Sequence, residues 1–204
     1  MKITQFSHFL MWSNDTPYLF TIMRYIIIIS AIIMMGACSN DKILKDKLEA
    51  LYSTPVVFPN SGMLHIDNAA NNNNQEKTPS SKYKLLVFSG PDECSICAVN
   101  KMSEWNALLN LEKEGFINMI FIFNPLTEEK DDVIAAYHTS GLEHSIELDT
   151  CGIFLQKNSQ IPEAKAFHTL LLDTDNKVIL VGDPIHNKKI KKLFYERIGA
   201  NRMD

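Results

Sequence analysis

Dense apolar runs alternate with stretches of helical spacing along the C-terminal part of the chain, and their order predicts a layered α/β domain. Residues 84–89 (K-L-L-V-F-S) form a continuous apolar run, the pattern of a strand buried on both faces. Gly90-Pro91-Asp92 breaks it, and a helix is predicted from about Cys94 to Glu114. Within it Ala98, Met102, Trp105 and Leu109 share one face, and Gly115 ends it. Residues 116–123 (F-I-N-M-I-F-I-F) predict a second buried strand, closed by Asn124-Pro125. A helix with an acidic start follows over 127–137, then a third strand over 144–148 and a short helix over 151–156. Residues 167–172 and 177–181 are joined by D-T-D-N, which signals a hairpin. The last helix, over 185–198, turns Ile190, Leu193, Phe194 and Ile198 inward. Its lysines (Lys188, Lys189, Lys191 and Lys192) turn outward as a solvated face that is also suited to anionic head groups. Right-handed crossovers make the early strands parallel, and the hairpin adds antiparallel partners, so helices should cover both faces of a mixed sheet.

Ahead of this region the pattern is sparser. Ile43, Leu44, Leu48, Leu51 and Tyr52 have helical spacing, and Thr54-Pro55 ends the run. Val56-Val57-Phe58-Pro59 predicts a short edge strand, and residues 68–81, with N-N-N-N and T-P-S-S, read as a spacer. Further upstream, Arg24 precedes about thirteen apolar or small residues that run to Ala37. That run suits a signal-peptide core and is short of the ~20 residues of a spanning helix. With Gly36-Ala37 leading into Cys38, the segment resembles the lipobox of bacterial lipoprotein signal peptides, whose cysteine is lipidated and becomes the mature N-terminus. Met23-Arg24 makes a natural start for such a peptide, with residues 1–22 as an upstream extension. The expected organisation is therefore a signal peptide over 1–37, a lipid anchor, tether and N-terminal helix over 38–82, and a folded domain over 83–204. A lipid-anchored chain would lie in the cell envelope, outside the cytoplasm, where disulfides persist.

The full chain of 204 residues has a net charge of only −4, with acids and bases mixed, and lacks the basic stripe of a nucleic-acid binder. Its four cysteines make local thiol chemistry, not a disulfide scaffold, the expectation. Cys94 and Cys97 stand as C-S-I-C just after a strand and a Gly-Pro turn, where a helix begins. Free N–H groups and positive potential there favour a thiolate, and a spacing of one helical turn allows a disulfide. A zinc reading would want a second C-x-x-C or paired histidines, and neither is present. Cys151, in L-D-T-C-G-I-F, reads first as a small buried hydrophobe and alternatively as an extra redox thiol. Met102 and Trp105 read as core.

From Lys84 onward the chain resembles the thioredoxin-like, or redoxin-type, domains of Bacteroidetes lipoproteins. The residues that carry the resemblance are K-L-L-V-F-S-G-P-D-E-C-S-I-C and F-H-T-L-L-L-D-T-D-N-K-V-I-L-V-G-D-P. The resemblance implies a thioredoxin fold and a thiol–disulfide oxidoreductase that needs no cofactor beyond its own disulfide. Cys94 would attack, Cys97 would resolve the mixed disulfide, and the partners would be protein thiols and disulfides of the envelope.

Three features depart from that pattern. Where thioredoxins carry a cis-proline that docks substrate, this chain has His168 before Thr169. A cis bond costs a non-proline residue about 3–4 kcal/mol, so a trans bond is expected. No carboxylate is evident near Phe88, where thioredoxins bury a proton acceptor. Ser95-Ile96 replaces Gly-Pro, and Glu93 would oppose the helix effect on the Cys94 thiol. His168 opens an alternative. Copper chaperones of cytochrome oxidase assembly share the fold and bind copper through two cysteines and a histidine, here Cys94, Cys97 and His168. That family spaces its cysteines one residue wider. A redox-inert adaptor is the third reading, and a peroxidase is disfavoured because the T-x-x-C pattern of peroxiredoxins is missing.

Overall fold

The computed structural model describes residues 21–27, 42, 45–67 and 81–200, in two units divided between Lys45 and Asp46. In the first, residues 21–27 are helical with exposed side chains. Cys38 and the rest of the apolar run, together with the greater part of the expected spacer, lie outside the described residues. No helix among the described residues is long and apolar enough to cross a membrane.

The second unit is built on a six-stranded sheet. Its strands are β1 (Leu64–Ile66), β2 (Tyr83–Ser89), β3 (Ile117–Phe123), β4 (Ile146–Leu148), β5 (Thr169–Leu172) and β6 (Val178–Val181), in the spatial order β1-β4-β3-β2-β5-β6. β2, β3 and β4 are parallel, while β5 and β6 form an antiparallel hairpin laid against β2. This is the thioredoxin-like arrangement: a parallel β-α-β unit and a closing hairpin share the central strand, and a helix ends the chain. An additional strand pair, β4 with β1, extends the β3 side.

Period-two alternation divides the core. Leu85 of β2, Met119 and Phe121 of β3 and Leu171 of β5 face one layer, packed under Trp105, Val133 and Phe194. Leu86, Phe88, Ile122, Leu170 and Leu172 face the other, against Leu51, Val56 and Phe154. Both faces are covered, which is why β2 and β3 read as unbroken apolar runs. The helices are α1 (residues 46–53), α2 (Ser95–Val99), α3 (Leu109–Lys113), α4 (Lys130–Thr139), α5 (Ile153–Lys157) and α6 (Lys188–Ile198).

The structure corrects several expectations. The helix predicted from Cys94 to Glu114 is broken into α2, a 3-10 segment over Met102–Leu108, and α3. Asn100 ends α2, and the Asn106 side chain reaches away to Gly141 O (2.8 Å) and Glu143 N (3.0 Å). Such side chains compete with helical backbone bonds. Met102, Trp105 and Leu109 are nonetheless buried, so the inward face survives the change of helix type. α6 begins at Lys188 under an Asn187 cap, and Leu193, expected inward, is 42% exposed. Tyr52 likewise turns outward from α1.

Residues 56–58 form no strand. Val56 N–H bonds Asn176 O, and the buried Asn158 side chain meets both Val57 N and Val57 O at 2.8 Å. The backbone is thus satisfied by a side chain in place of a ladder. The folded unit also starts well before Tyr83: Leu51 and Val56 are fully buried, and β1 is part of the sheet.

Histidines bridge elements. His65 of β1 lies between Glu147 of β4 (2.7 Å) and Asp67 (3.0 Å). His144 lies between Glu112 of α3 (3.2 Å) and Ser145 O (2.8 Å). His186, before α6, lies between Asp183 (2.6 Å) and Glu104 of the 3-10 segment (2.5 Å). Each has an acceptor at both ring nitrogens, and the bonded carboxylates raise all three pKa values despite the opposing effect of burial.

Candidate active site

β2 ends in the core at Ser89, and the chain then turns through Gly90 to Asp92 toward α2. This places Cys94 at the N-cap of α2, on the edge where the parallel strands end. Cys94 and Cys97 form a disulfide, with their Cα atoms 5.2 Å apart. Both residues are exposed. The Cys97 backbone N–H donates to Cys94 Sγ at 3.2 Å. A sulfur at this place therefore already has a fixed donor directed at it, an arrangement that favours negative charge on Cys94 when the bond is open.

Glu93, the residue before Cys94, is the centre of a charged cluster. Glu93 Oε1 accepts the Gly90 N–H (3.1 Å) and faces His168 Nδ1 at 2.6 Å, and its Oε2 pairs with Lys165 Nζ at 3.2 Å. Burial pushes the Glu93 carboxyl up, but the Gly90 N–H, His168 and Lys165 together outweigh it and hold it below the usual carboxylate range. Glu93, expected to oppose the helix effect on the Cys94 thiol, thus has its carboxylate bonded by the Gly90 N–H, His168 and Lys165. His168 is 4% exposed, and its Nε2 donates to Pro162 O at 3.0 Å. Phe88 packs edge-on to its ring with centroids 5.0 Å apart, and the Phe88 N–H donates to His168 O at 2.8 Å. The loop entering β5 is thus tied to the end of β2.

There is no cis peptide bond among the described residues, so the bond between His168 and Thr169 is trans. Thr169, buried, opens β5 opposite Val87 of β2. The alternative metal set of Cys94, Cys97 and His168 is not assembled. The two sulfurs are bonded to each other, both ring nitrogens of His168 are engaged, and among the described residues no three His, Cys, Asp or Glu side chains stand together to hold a metal ion.

Cys151 is an exposed free thiol, which corrects its reading as a small buried hydrophobe. It sits in the turn between β4 and α5, ahead of Gly152 in the left-handed conformation. The preceding Asp149, fully buried, accepts the Ile153 and Phe154 N–H groups at 2.9 and 2.7 Å and so starts α5 after Cys151, not at it. Cys94 and Cys151 follow β2 and β4, at the same edge of the sheet with β3 between them. Sequence reasoning did not foresee the parts played by Lys165, Pro162 and Phe88. Nor did it foresee that the Oγ atoms of Ser89 and Ser95 are buried without a hydrogen-bond partner.

No family model matches the chain, and no curated protein matches it by sequence. Among solved structures it is similar to a thioredoxin-like protein described in its oxidised form, with 12% identity over 73% of this chain and 95% of that one at a TM-score of 0.45. It is also similar to a PrxQ mutant of Xylella fastidiosa, with 10% identity over 75% of this chain and 92% of that one at a TM-score of 0.42. A thioredoxin-like protein of Bacteroides caccae shares 15% identity over 79% of this chain and 56% of that one, at a TM-score of 0.36. At such values the likeness concerns the chain path alone, and the fold rests on the strand order and register given above.

Proposed function

We propose that the protein is a thiol–disulfide oxidoreductase of the cell envelope, anchored through a lipid on Cys38 and acting on protein thiols and disulfides. The observation that carries this reading is the exposed Cys94–Cys97 disulfide at the start of α2, with the Cys97 N–H directed at Cys94 Sγ. The anchor and location rest on the apolar run that ends in Gly36-Ala37-Cys38.

In the reducing direction, the Cys94 thiolate attacks one sulfur of a substrate disulfide. A mixed disulfide forms and the other substrate sulfur leaves as a thiolate that takes up a proton. Cys97, deprotonated, then attacks the Cys94 sulfur; the internal disulfide closes and the second substrate thiolate departs. Two electrons pass from the cysteine pair to the substrate, and oxidation of a dithiol substrate is the same path reversed. The reduction potential sets the direction. No cofactor enters either step.

The test is the reduction potential of the Cys94–Cys97 couple in the full-length protein with Cys151→Ser, held in detergent and equilibrated in glutathione or dithiothreitol buffers before thiol alkylation. A clean two-electron transition is expected, and its position assigns oxidant or reductant. If no disulfide forms across the accessible range, the redox reading is wrong.

A further inference from the structure

We propose that His168 is a charge-compensating and positioning residue for the Cys94–Cys97 couple: from the loop that enters β5, it neutralises the Glu93 carboxylate next to Cys94 and so keeps Cys94 nucleophilic. The inference rests on the redox reading and names the device that tunes it.

The geometry supports this from both sides. The Glu93 carboxylate is held in place, because its Oε1 bonds the Gly90 N–H while its own backbone N–H bonds Gly90 O at 3.1 Å. It cannot swing clear of the turn that leads into Cys94 without breaking that closed pair. His168 is held equally firmly by Pro162 O at one nitrogen, by the Phe88 ring on its edge, and by its own carbonyl bonded to Phe88 N–H. Both partners of the ring, a carboxylate and a carbonyl, accept hydrogen bonds, so the ring donates at both nitrogens and is cationic when both bonds are made. The Glu93 side chain is 15% exposed and that of His168 5% exposed, so their mutual charge is little screened by water.

Gly90 is part of the arrangement, since a Cβ there would stand 3.3 Å from His168 Cε1 and crowd the ring. Among the described residues, the one further charged side chain bonded to the pair is Lys165 from the loop, and with its side chain 78% exposed it is a weaker partner for Glu93 than His168. Phe88 of β2 and the Pro162 carbonyl add no charge.

The consequence is electrostatic. An unpaired carboxylate one residue from Cys94 disfavours its thiolate, and a carboxylate paired with an imidazolium does not. A histidine at the place where the thioredoxin pattern has a docking proline would thus act on the attacking sulfur through Glu93.

The test measures the pH dependence of Cys94 alkylation in the reduced, full-length protein, together with the potential of each variant. His168→Leu should raise the Cys94 thiol pKa, slow its alkylation at neutral pH about tenfold and make the couple more reducing. Glu93→Gln should move the thiol pKa the other way or leave it in place. In the double variant the loss of His168 should have no further effect, because the charge it compensates is gone. His168→Gln, which keeps a donor for the carboxylate but no charge, guards against simple misfolding and should follow His168→Leu. An unchanged Cys94 profile in both His168 variants overturns the proposal, as does a double variant that behaves like His168→Leu. If the parent protein shows no reversible disulfide at all, the redox reading falls and takes this inference with it, an outcome separable from the variant comparison.

Discussion

A buried hydroxyl without a hydrogen-bond partner opposes folding by about 1–3 kcal/mol, and Ser95, 1% exposed inside the C-S-I-C segment, has one. Replacing it with alanine deletes one polar atom and leaves a residue with better helix propensity at the first position of α2. Ser95→Ala should therefore stabilise the protein by about 1 kcal/mol, read as a higher denaturation midpoint with an unchanged slope. A loss of stability instead would show that the hydroxyl is satisfied through water. Asp149 is the opposite case: its buried carboxylate accepts two N–H groups at the start of α5. Asp149→Ala should cost about 1–2 kcal/mol in the same measurement.

At the scale of elements, the loop before α6 and the 3-10 segment after α2 are clipped together by His186, held between Asp183 and Glu104. The Asp183 hydrogen bond leads in raising its pKa above 6.5, with burial opposing and Glu104 assisting. A proton held more tightly in the folded state stabilises that state fully below the unfolded value, and the benefit is lost as pH rises through the folded value. Between pH 6 and 8.5, the melting temperature of the parent should fall further than that of His186→Gln; parallel curves would show that the clip contributes nothing.

The same scale shows what could be read in advance. β2 and β3 were legible because strands buried on both faces leave continuous apolar runs. The break between α2 and α3 was not, because Asn106 pairs with residues 35 and 37 positions away. The cysteine pair was legible from its local spacing. The Glu93–His168 pair joins residues 75 positions apart, and no short motif marks it. Residues 56–58 looked like a strand because an apolar run does not reveal whether a ladder or an asparagine side chain will satisfy its backbone.

For the molecule as a whole, the extent of the fold matters most. Leu51 is fully buried among Leu86, Phe88, Phe154 and Leu172, so α1 forms part of the core on that face of the sheet. Leu51→Ala should cost about 2–5 kcal/mol by chemical denaturation. A chain begun at Tyr83 would also lose Val56 and β1, and should be unfolded or aggregated where one begun at Asp46 is folded. Equal stability of the two would mean that the N-terminal segment merely rests on the domain. The bridging histidines have a collective consequence as well. Because His65, His144 and His186 keep their protons to higher pH when folded, folding adds positive charge to a chain whose formal charge is only −4. The native protein should therefore focus at a higher pH in an electric field than the same chain in urea, so the pH at which colloidal repulsion is weakest moves down on unfolding.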